Sequence, residues 1–543
     1  MKIKKNDIIN LTITDISSKG IGVGKYDGMT VFVSACAVGD KIICQIIKLA
    51  KNYAIGKLKE ITVPSKDRIE PDCKYFLRCG GCSYRHITYE SEQNIKHKNI
   101  CENIKRIAKL DISAEKLIPA KNINEYRNKM QIPVGYNNKN EIIAGFYGNH
   151  SHNIIDMNEC KLHDYIFSEI LKDVKEWMKK YKISAYDEKT NSGNIKHIYL
   201  RQAKKTGQIM LCLVSKNREL KALPDLVEII TKEHKQIKTI ILNINSKKTN
   251  VILGDKNITL YGDGFIIDNL CGLDFKISPL SFFQINHEMT EVLYEIIKSW
   301  LAEEIPDTIL DLYCGIGTIG LSLSANCKKL IGVEIISDAV KDAKFNAKLN
   351  NVTNAEFICA DAYNAADKII KENIKSDVII VDPPRKGLNE KLIDTIVKIN
   401  PKKIIYVSCD PATLSRDLAV FDHEGYTVKI IQPVDLFPRT AHVETVALLS
   451  KLKGANTIEV EIDLDEMDLT QAESKGTYEQ IKQCVLENTG LKVSQLYIAQ
   501  VKKKYGIIER VNFNVGKGKA NVPQVPKEKE KAIEDALRHF KMI

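Results

Sequence analysis

No window of the sequence approaches the roughly 18 consecutive apolar residues that a membrane-crossing helix needs, so the chain is not expected to span a bilayer. An apolar h-region is also missing after the basic start Met1-Lys2-Ile3-Lys4-Lys5-Asn6-Asp7, which speaks against a secretory signal and makes the cytoplasm the default location. The chain lacks the dense cysteine framework of a small secreted domain. Its 14 cysteines are spread over 543 residues, and most stand singly in apolar strand-like contexts (Cys44, Cys212, Cys359), where a small buried hydrophobe is the better reading. Residues 455–474 contain no lysine or arginine at all.

What is present is the composition of a globular protein, 44% apolar and 27% charged. At about 100–200 residues per domain, its length implies three or four units. Lys and Arg number 80 against 69 Asp and Glu, and this net charge of +11 favours a polyanionic partner through counterion release. Cys73, Cys79 and Cys82 form the one tight cysteine cluster, which in a long cytoplasmic chain reads as a metal site before a disulfide.

Along residues 7–62, short β-rich stretches (Ile8–Ile13, Gly20–Gly24, Thr30–Val33, Lys41–Ile47, Tyr53–Glu60) are separated by glycine turns, a spacing that suits a small five-stranded barrel. Lys48, Lys51, Lys57 and Lys59 would give it either an oligonucleotide-binding face or merely a solvated one. Glu92–Leu110 has helical periodicity, and residues 125–283 read as strand-rich. From Thr290 to Leu452, helices and strands alternate, which predicts a parallel α/β sheet. The acidic stretch 455–474 reads as a linker, and the tail beyond it carries 14 basic against 7 acidic residues. That tail has helical segments at Thr477–Thr489, Ser494–Tyr505 and Glu528–Phe540, either a helix-turn-helix-like nucleic-acid accessory or a packing appendage.

The α/β region carries the chemistry. Thr308-Ile309-Leu310-Asp311-Leu312-Tyr313-Cys314-Gly315-Ile316-Gly317-Thr318-Ile319-Gly320 is an apolar strand entering a glycine-rich turn, where missing Cβ atoms let a ligand approach the backbone. The next strand ends in Glu334, placed for ribose hydroxyls, and the third reaches Asp361, placed for an adenine amino group. These features fit a dinucleotide or S-adenosylmethionine. The fourth strand favours the latter, because it runs into Asp382-Pro383-Pro384-Arg385, a rigid acidic loop able to frame a planar substrate.

The fifth strand ends at Ser408-Cys409-Asp410-Pro411, so Cys409 lies where an open α/β sheet keeps its reactive groups. Methylation of uracil at C5 gives such a cysteine a purpose. C5 is a poor nucleophile, and thiolate addition to C6 converts the ring to an enolate. A later base must then remove the C5 proton, and Glu444, in Thr440-Ala441-His442-Val443-Glu444-Thr445, is the candidate. His442 is the rival, read as a positioning group.

Taken together, Asp311–Gly317, Asp382-Pro383-Pro384-Arg385, Ser408-Cys409-Asp410-Pro411 and His442-Val443-Glu444 resemble the RNA (uracil-5-)-methyltransferase family, most of all its 23S ribosomal RNA branch. The resemblance covers about residues 1–452. It implies a Rossmann-like class I methyltransferase domain at 284–453, preceded by a TRAM-like RNA-binding barrel at 1–62 and a β-rich central domain at 63–283. The acidic linker (454–474) and basic helical extension (475–543) would follow. It also implies that Gln284, in Ser281-Phe282-Phe283-Gln284-Ile285-Asn286, touches S-adenosylmethionine with Tyr313, Gly315, Gly317, Glu334, Asp361 and Asp382. Thr318 stands where some relatives have asparagine. Cys73, Cys79 and Cys82, with Cys160 as fourth ligand, suit zinc or a 4Fe–4S cluster by their chemistry, and the resemblance favours the cluster.

Arg78, Tyr84, Arg85, His86, Tyr126, Arg127, Asn128 and Lys129 offer either phosphate contacts and stacking faces for a single-stranded RNA loop or, for any one of them, ordinary solvated charge. The expected activity is methylation of a flipped-out uracil in 23S ribosomal RNA to 5-methyluridine, with no obligate protein partner. Transfer RNA is the alternative substrate. The competing classes are an NAD-dependent oxidoreductase, resting on the glycine spacing and Glu334, and a noncatalytic RNA-binding assembly factor.

Overall fold

A computed structural model of the chain describes residues 3–149, 151–451, 478–491, 493–505, 525–540 and 542. They fall into two compact units, residues 1–454 and 455–543; the acidic linker expected at 454–474 lies outside the described residues. Among the described residues, no helix is long and apolar enough to cross a membrane.

The first unit opens with β1 (Ile8–Ile16), β2 (Gly22–Tyr26), β3 (Met29–Val33), β4 (Lys41–Leu49) and β5 (Tyr53–Val63), closed into a barrel in the order β1-β2-β3-β5-β4. Alternation along the strands sends Ile9, Leu11, Ile13, Val31, Val33, Ile42, Cys44 and Ile46 inward. Lys48, Lys51, Lys57 and Lys59 are exposed. At Gly24 a Cβ would lie 2.6 Å from the Thr12 carbonyl oxygen, so the tight β1–β2 crossing needs glycine.

A helix at Tyr89–Asn103 follows, capped by the Thr88 hydroxyl, which accepts from the Ser91 amide at 3.3 Å. It continues as a π turn, Ile104–Ala108, and stops at Lys109 in the left-handed region. The central sheet comprises β6 (Lys129–Tyr136), β7 (Ile142–Ala144), β8 (Ile195–Gln202), β9 (Ile209–Ser215), β10 (Ile237–Ile244) and β11 (Lys256–Tyr261), ordered β11-β10-β9-β8-β6-β7. It holds two helices as well as strands. Tyr165–Lys180 buries Phe167, Ile170, Val174 and Trp177, and Leu223–Glu233 makes the crossover between parallel β9 and β10. The strand expected at Ile142–Tyr147 ends early. A Cβ on Gly145 would sit 1.9 Å from the Ile155 carbonyl oxygen, and the chain there leaves β6 to pair Tyr147 with Ile154.

A hairpin, β12 (Ile266–Leu270) and β13 (Leu273–Ile277), leads into the helix His287–Leu301 and the large sheet. That sheet contains β14 (Thr308–Leu312), β15 (Lys329–Glu334), β16 (Ala355–Cys359), β17 (Val378–Val381), β18 (Lys403–Ser408), β19 (Tyr426–Val434) and β20 (Glu444–Lys451), in the order β16-β15-β14-β17-β18-β20-β19. Only β20 runs against its neighbours. Along β17, Val378 and Ile380 enter one apolar layer while Ile379 and Val381 enter the other, as expected of a sheet covered on both faces. In the second unit, helices Tyr478–Thr489, Gln495–Lys504 and Lys527–His539 enclose a core of Ile481, Val485, Ile498, Val501, Ile533 and Leu537.

A buried ionic network crosses the first unit. Lys96 Nζ donates to Glu92 Oε1 at 2.7 Å and to Asp435 Oδ1 at 2.8 Å, and all three side chains are at most 1% exposed. The Tyr89 hydroxyl donates to the other Asp435 oxygen at 2.8 Å. Lys96→Met would leave two carboxylates facing each other without their cation, and we expect a loss of about 3–5 kcal/mol of stability. The loss should be smaller at pH 5 than at pH 8, because burial already pushes the Glu92 carboxyl up to about 7 and a protonated acid no longer repels its neighbour. Denaturant unfolding of wild type and variant at the two pH values checks this.

Candidate active site

The turn after β14 is held by unusual backbone angles, with φ of 67° at Tyr313, 57° at Gly315 and 86° at Gly317. Asp311, 1% exposed, braces it by accepting from the Gly320 amide at 3.0 Å, and a Cβ on Gly320 would come within 2.8 Å of that carboxylate. Gly315 is the opposite case. No atom lies within 4 Å of where its Cβ would be, so the space above the turn is open to a ligand.

The other predicted cofactor residues gather along this edge. Glu334 ends β15 and accepts from the amides of Gly315 (3.2 Å) and Ile336 (2.8 Å). Asp361, just past β16, caps the helix Ala362–Lys371 through one oxygen, which accepts from Tyr363 and Asn364. Both carboxylates thus stiffen the rim and retain lone pairs for hydroxyl or amino donors. Asp382 follows β17. Gln284 is largely buried in the loop ahead of helix His287–Leu301, its carbonyl held by Asn128 Nδ2 at 2.8 Å. Thr318 is engaged by the Tyr294 hydroxyl at 2.8 Å.

Cys409 follows β18 and immediately precedes Asp410, whose carboxylate caps the helix Pro411–His423 by accepting from Ala412 and Thr413 at 3.0 Å. Because β20 is antiparallel, its first residue lies at the same edge as the last residue of β18, and Ser408 is paired with Thr445. Glu444, 2% exposed, is thereby brought beside Cys409.

Burial, reinforced by the charges of Glu444 and Asp382, pushes the Cys409 thiol up to about 11, while the nearby Arg385 guanidinium pulls the other way. Burial pushes Asp382 up to about 7, and burial together with Asp382 holds Glu444 well above the usual carboxylate range. His442, 3.4 Å from an Arg385 nitrogen, is pushed down to about 4 by burial and by that cation, so its imidazole is neutral. Arg385 is a participant that the motif contained but that the sequence reading left without a role.

Cys73, Cys79, Cys82 and Cys160 form no disulfide, and their thiols act on one another electrostatically. The Gly81 amide donates to Cys79 Sγ and Arg85 Nε to Cys82 Sγ, each at 3.4 Å. Arg127, whose charge also reaches Cys82 and Cys160, has a buried Nε with no partner. Among the described residues, no three His, Cys, Asp or Glu side chains are gathered about a single ion position.

The structure corrects the expected RNA-contacting set. Tyr84, Arg85, His86, Tyr126 and Asn128 are all buried. Arg85 forks onto Asp72 at 2.7 and 2.9 Å, His86 stacks on Phe76, and the Tyr126 hydroxyl donates to the Pro438 carbonyl at 2.9 Å. Their polarity serves tertiary contacts, which local sequence does not reveal. Arg78 remains exposed, and Lys129 is half-buried.

The family model described as tRNA (uracil-5-)-methyltransferase matches residues 136–452, and the TRAM domain model matches residues 3–59. An uncharacterized RNA methyltransferase of Clostridium tetani is 43% identical over 448 residues, 82% of this chain and 97% of the relative. One from Clostridium acetobutylicum is 44% identical over 453 residues, 83% of this chain and 98% of the relative. Among solved structures, the Pyrococcus abyssi tRNA (uracil-54, C5)-methyltransferase in complex with S-adenosyl-L-homocysteine is 28% identical. It superposes with a TM-score of 0.67 and covers 81% of this chain and all of that one.

The electrostatics around Cys409 give a signed prediction. Only the thiolate alkylates, so Arg385→Gln, which removes the cation favouring it, should slow carbamidomethylation of Cys409 by iodoacetamide at pH 8. Peptide mass spectrometry over a time course reads the rate.

Proposed function

The chain belongs to the tRNA (uracil-5-)-methyltransferase family, with a TRAM domain at its N-terminus, and from that premise we propose that it methylates uracil C5 in 23S ribosomal RNA through Cys409 and Glu444. It is an S-adenosylmethionine-dependent RNA methyltransferase, so the oxidoreductase reading of the glycine turn falls away. The observation that carries the mechanism is the meeting of Cys409 and Glu444 at one sheet edge beside Asp382. A noncatalytic assembly factor has no use for that arrangement.

The open space over Gly315 and the carboxylates on its rim fit the cofactor. Gln284, Tyr313, Gly315, Gly317, Glu334, Asp361 and Asp382 would hold S-adenosylmethionine, which supplies a methyl group on an electrophilic sulfonium. The Cys409 thiolate, stabilised by Arg385, adds to C6 of the uracil, and the C5–C6 electron pair moves into the ring as an enolate. C5 of that enolate would take the methyl group, its electron pair forming the new carbon–carbon bond as the methyl–sulfur bond breaks and the sulfur leaves as a neutral thioether. Glu444 then takes the C5 proton, the electron pair restores the C5–C6 double bond, and the thiolate leaves. His442, neutral and close to Arg385, orients the guanidinium rather than acting as the base.

The lysine-faced barrel at 1–62 and the central domain at 63–283 are proposed to grip the RNA while the target base is flipped out. Fourteen unpaired cysteines suit a reducing cytoplasm. Transfer RNA is the second reading, favoured by the substrate named for the Pyrococcus enzyme.

Cys73, Cys79, Cys82 and Cys160 are proposed to hold a 4Fe–4S cluster: four thiolates suit zinc as well, and the family resemblance favours the cluster. The lone Arg127 Nε and the amide and guanidinium donors at the sulfurs suit an anionic cluster there. Such a cluster would act as a structural tie, since the transfer chemistry moves no electrons to or from it. Protein purified without oxygen should contain iron and sulfide in equal amounts, and Cys82→Ser should lose both. Zinc in their place would overturn the assignment.

Cys409→Ala should abolish both methylation and the covalent RNA adduct, whereas Glu444→Gln should accumulate the adduct on denaturing gels. Full activity in Cys409→Ala would end this mechanism. Mass-spectrometric mapping of 5-methyluridine in ribosomal and transfer RNA from cells lacking the protein decides the substrate, and loss from transfer RNA alone would sink the ribosomal assignment.

A further inference from the structure

The connection from β19 to β20 delivers Glu444, yet most of its anchors lie outside the large sheet. Lys96 holds Asp435 and also donates to the Phe437 carbonyl at 3.1 Å, and Tyr126 holds the Pro438 carbonyl. Arg439 is the most constrained point. Its backbone is left-handed, with φ of 67°, where a residue other than glycine is strained. Its amide donates to Glu92 Oε1 at 2.7 Å, and its carbonyl accepts from the amides of Ser83 (2.8 Å) and Tyr84 (3.2 Å). Its guanidinium donates to the Ile87 carbonyl at 3.0 Å and lies over the Tyr89 ring, 5.7 Å from the centroid. Two residues on, Ala441 packs against the barrel core.

Ser83 and Tyr84 directly follow Cys82, so the cysteine-bearing segment is hydrogen-bonded to the connection that carries the base. We propose that Arg439 is a positioning residue for the second half of the reaction: it sets the Glu444 carboxyl against C5 of the target ring, with the cysteine-bearing segment as its abutment. The proposal rests on the reading of Glu444 as the base. Adduct formation depends on Cys409, which is placed by β18 and the helix Pro411–His423, so loosening Arg439 slows release of the product while leaving thiolate addition intact.

The test uses an unmodified RNA transcript that the wild-type protein methylates, made with uridine or with 5-fluorouridine, whose C5 substituent no base can remove. For Arg439→Ala, turnover should fall about ten- to a hundredfold at unchanged KM for RNA, the cost typical of a slightly misplaced catalytic group. Adduct should accumulate on the uridine transcript, while adduct on the fluorinated one forms at the wild-type rate. Arg439→Lys, which keeps a cation for the Ile87 carbonyl, should recover most of the turnover. If Arg439→Ala does not fold, Arg439→Gly, which accepts the left-handed backbone, carries the same test.

Equal slowing of adduct formation on both transcripts, or unchanged turnover, overturns the proposal. Glu444→Gln run alongside separates the two failures. Adduct trapped by Glu444→Gln but not by the Arg439 variants sinks the positioning role alone, whereas wild-type turnover in Glu444→Gln sinks the reading of the base.

Discussion

Lys96 sits between Glu92 and Asp435 where no water can replace it, and the architecture of the catalytic unit depends on that contact. Arg439 stands 3.7 Å from the second Glu92 oxygen, so two carboxylates face two cations. The Tyr89 hydroxyl closes the remaining Asp435 oxygen and itself accepts from the Ala120 amide at 2.8 Å. A buried network of this kind is worth little as bulk stability, because desolvation consumes most of the Coulombic gain. Its value is registration. Lys96 and Asp435 meet in one arrangement only, although they are 339 residues apart in sequence.

The electrostatics at the sheet edge follow the opposite rule. Asp311, Asp382 and Glu444 are buried near one another: burial raises all three carboxyls, and the Asp382 charge raises Asp311 and Glu444 further, with the Arg385 guanidinium opposing it at Glu444. Asp311 reaches about 8 although it accepts from Gly320. An excess of acid held at a concave edge favours a positively charged ligand, which is what a sulfonium cofactor is. Burial, with the same excess behind it, keeps Cys409 a thiol, and this limits adventitious reaction of the nucleophile.

Features written in local pattern were legible. The barrel strands were found from alternation between glycine turns, and the ends of β14, β15, β17 and β18 from apolar runs stopping at Gly, Glu, Asp and Cys. Features decided by distant partners were not. Tyr84, Arg85 and His86 look like an exposed RNA-reading set until Phe76, Asp72 and Arg439 bury them. The helices Tyr165–Lys180 and Leu223–Glu233 are masked in the sequence pattern of 125–283, because neighbouring β8, β9 and β10 dominate its composition. Arg439 and Lys96 carried no signal at all, since nothing near either residue announces a partner hundreds of positions away.

The reversed direction of β20 explains why a base near the end of the domain serves a nucleophile that lies a whole helix and strand earlier. Were β20 parallel to β18, its first residue would emerge at the far edge of the sheet, a strand length from Cys409. Antiparallel insertion between β18 and β19 puts Glu444 opposite Val434 and one residue from the Ser408–Thr445 pair. That solution obliges the chain to turn back between Val434 and Glu444 at the reactive edge itself. A turn there must be rigid without help from the sheet, and the helix Tyr89–Asn103 and the segment after Cys82 supply the missing anchors. The N-terminal half of the unit is therefore a working part of the site and not only a means of holding RNA.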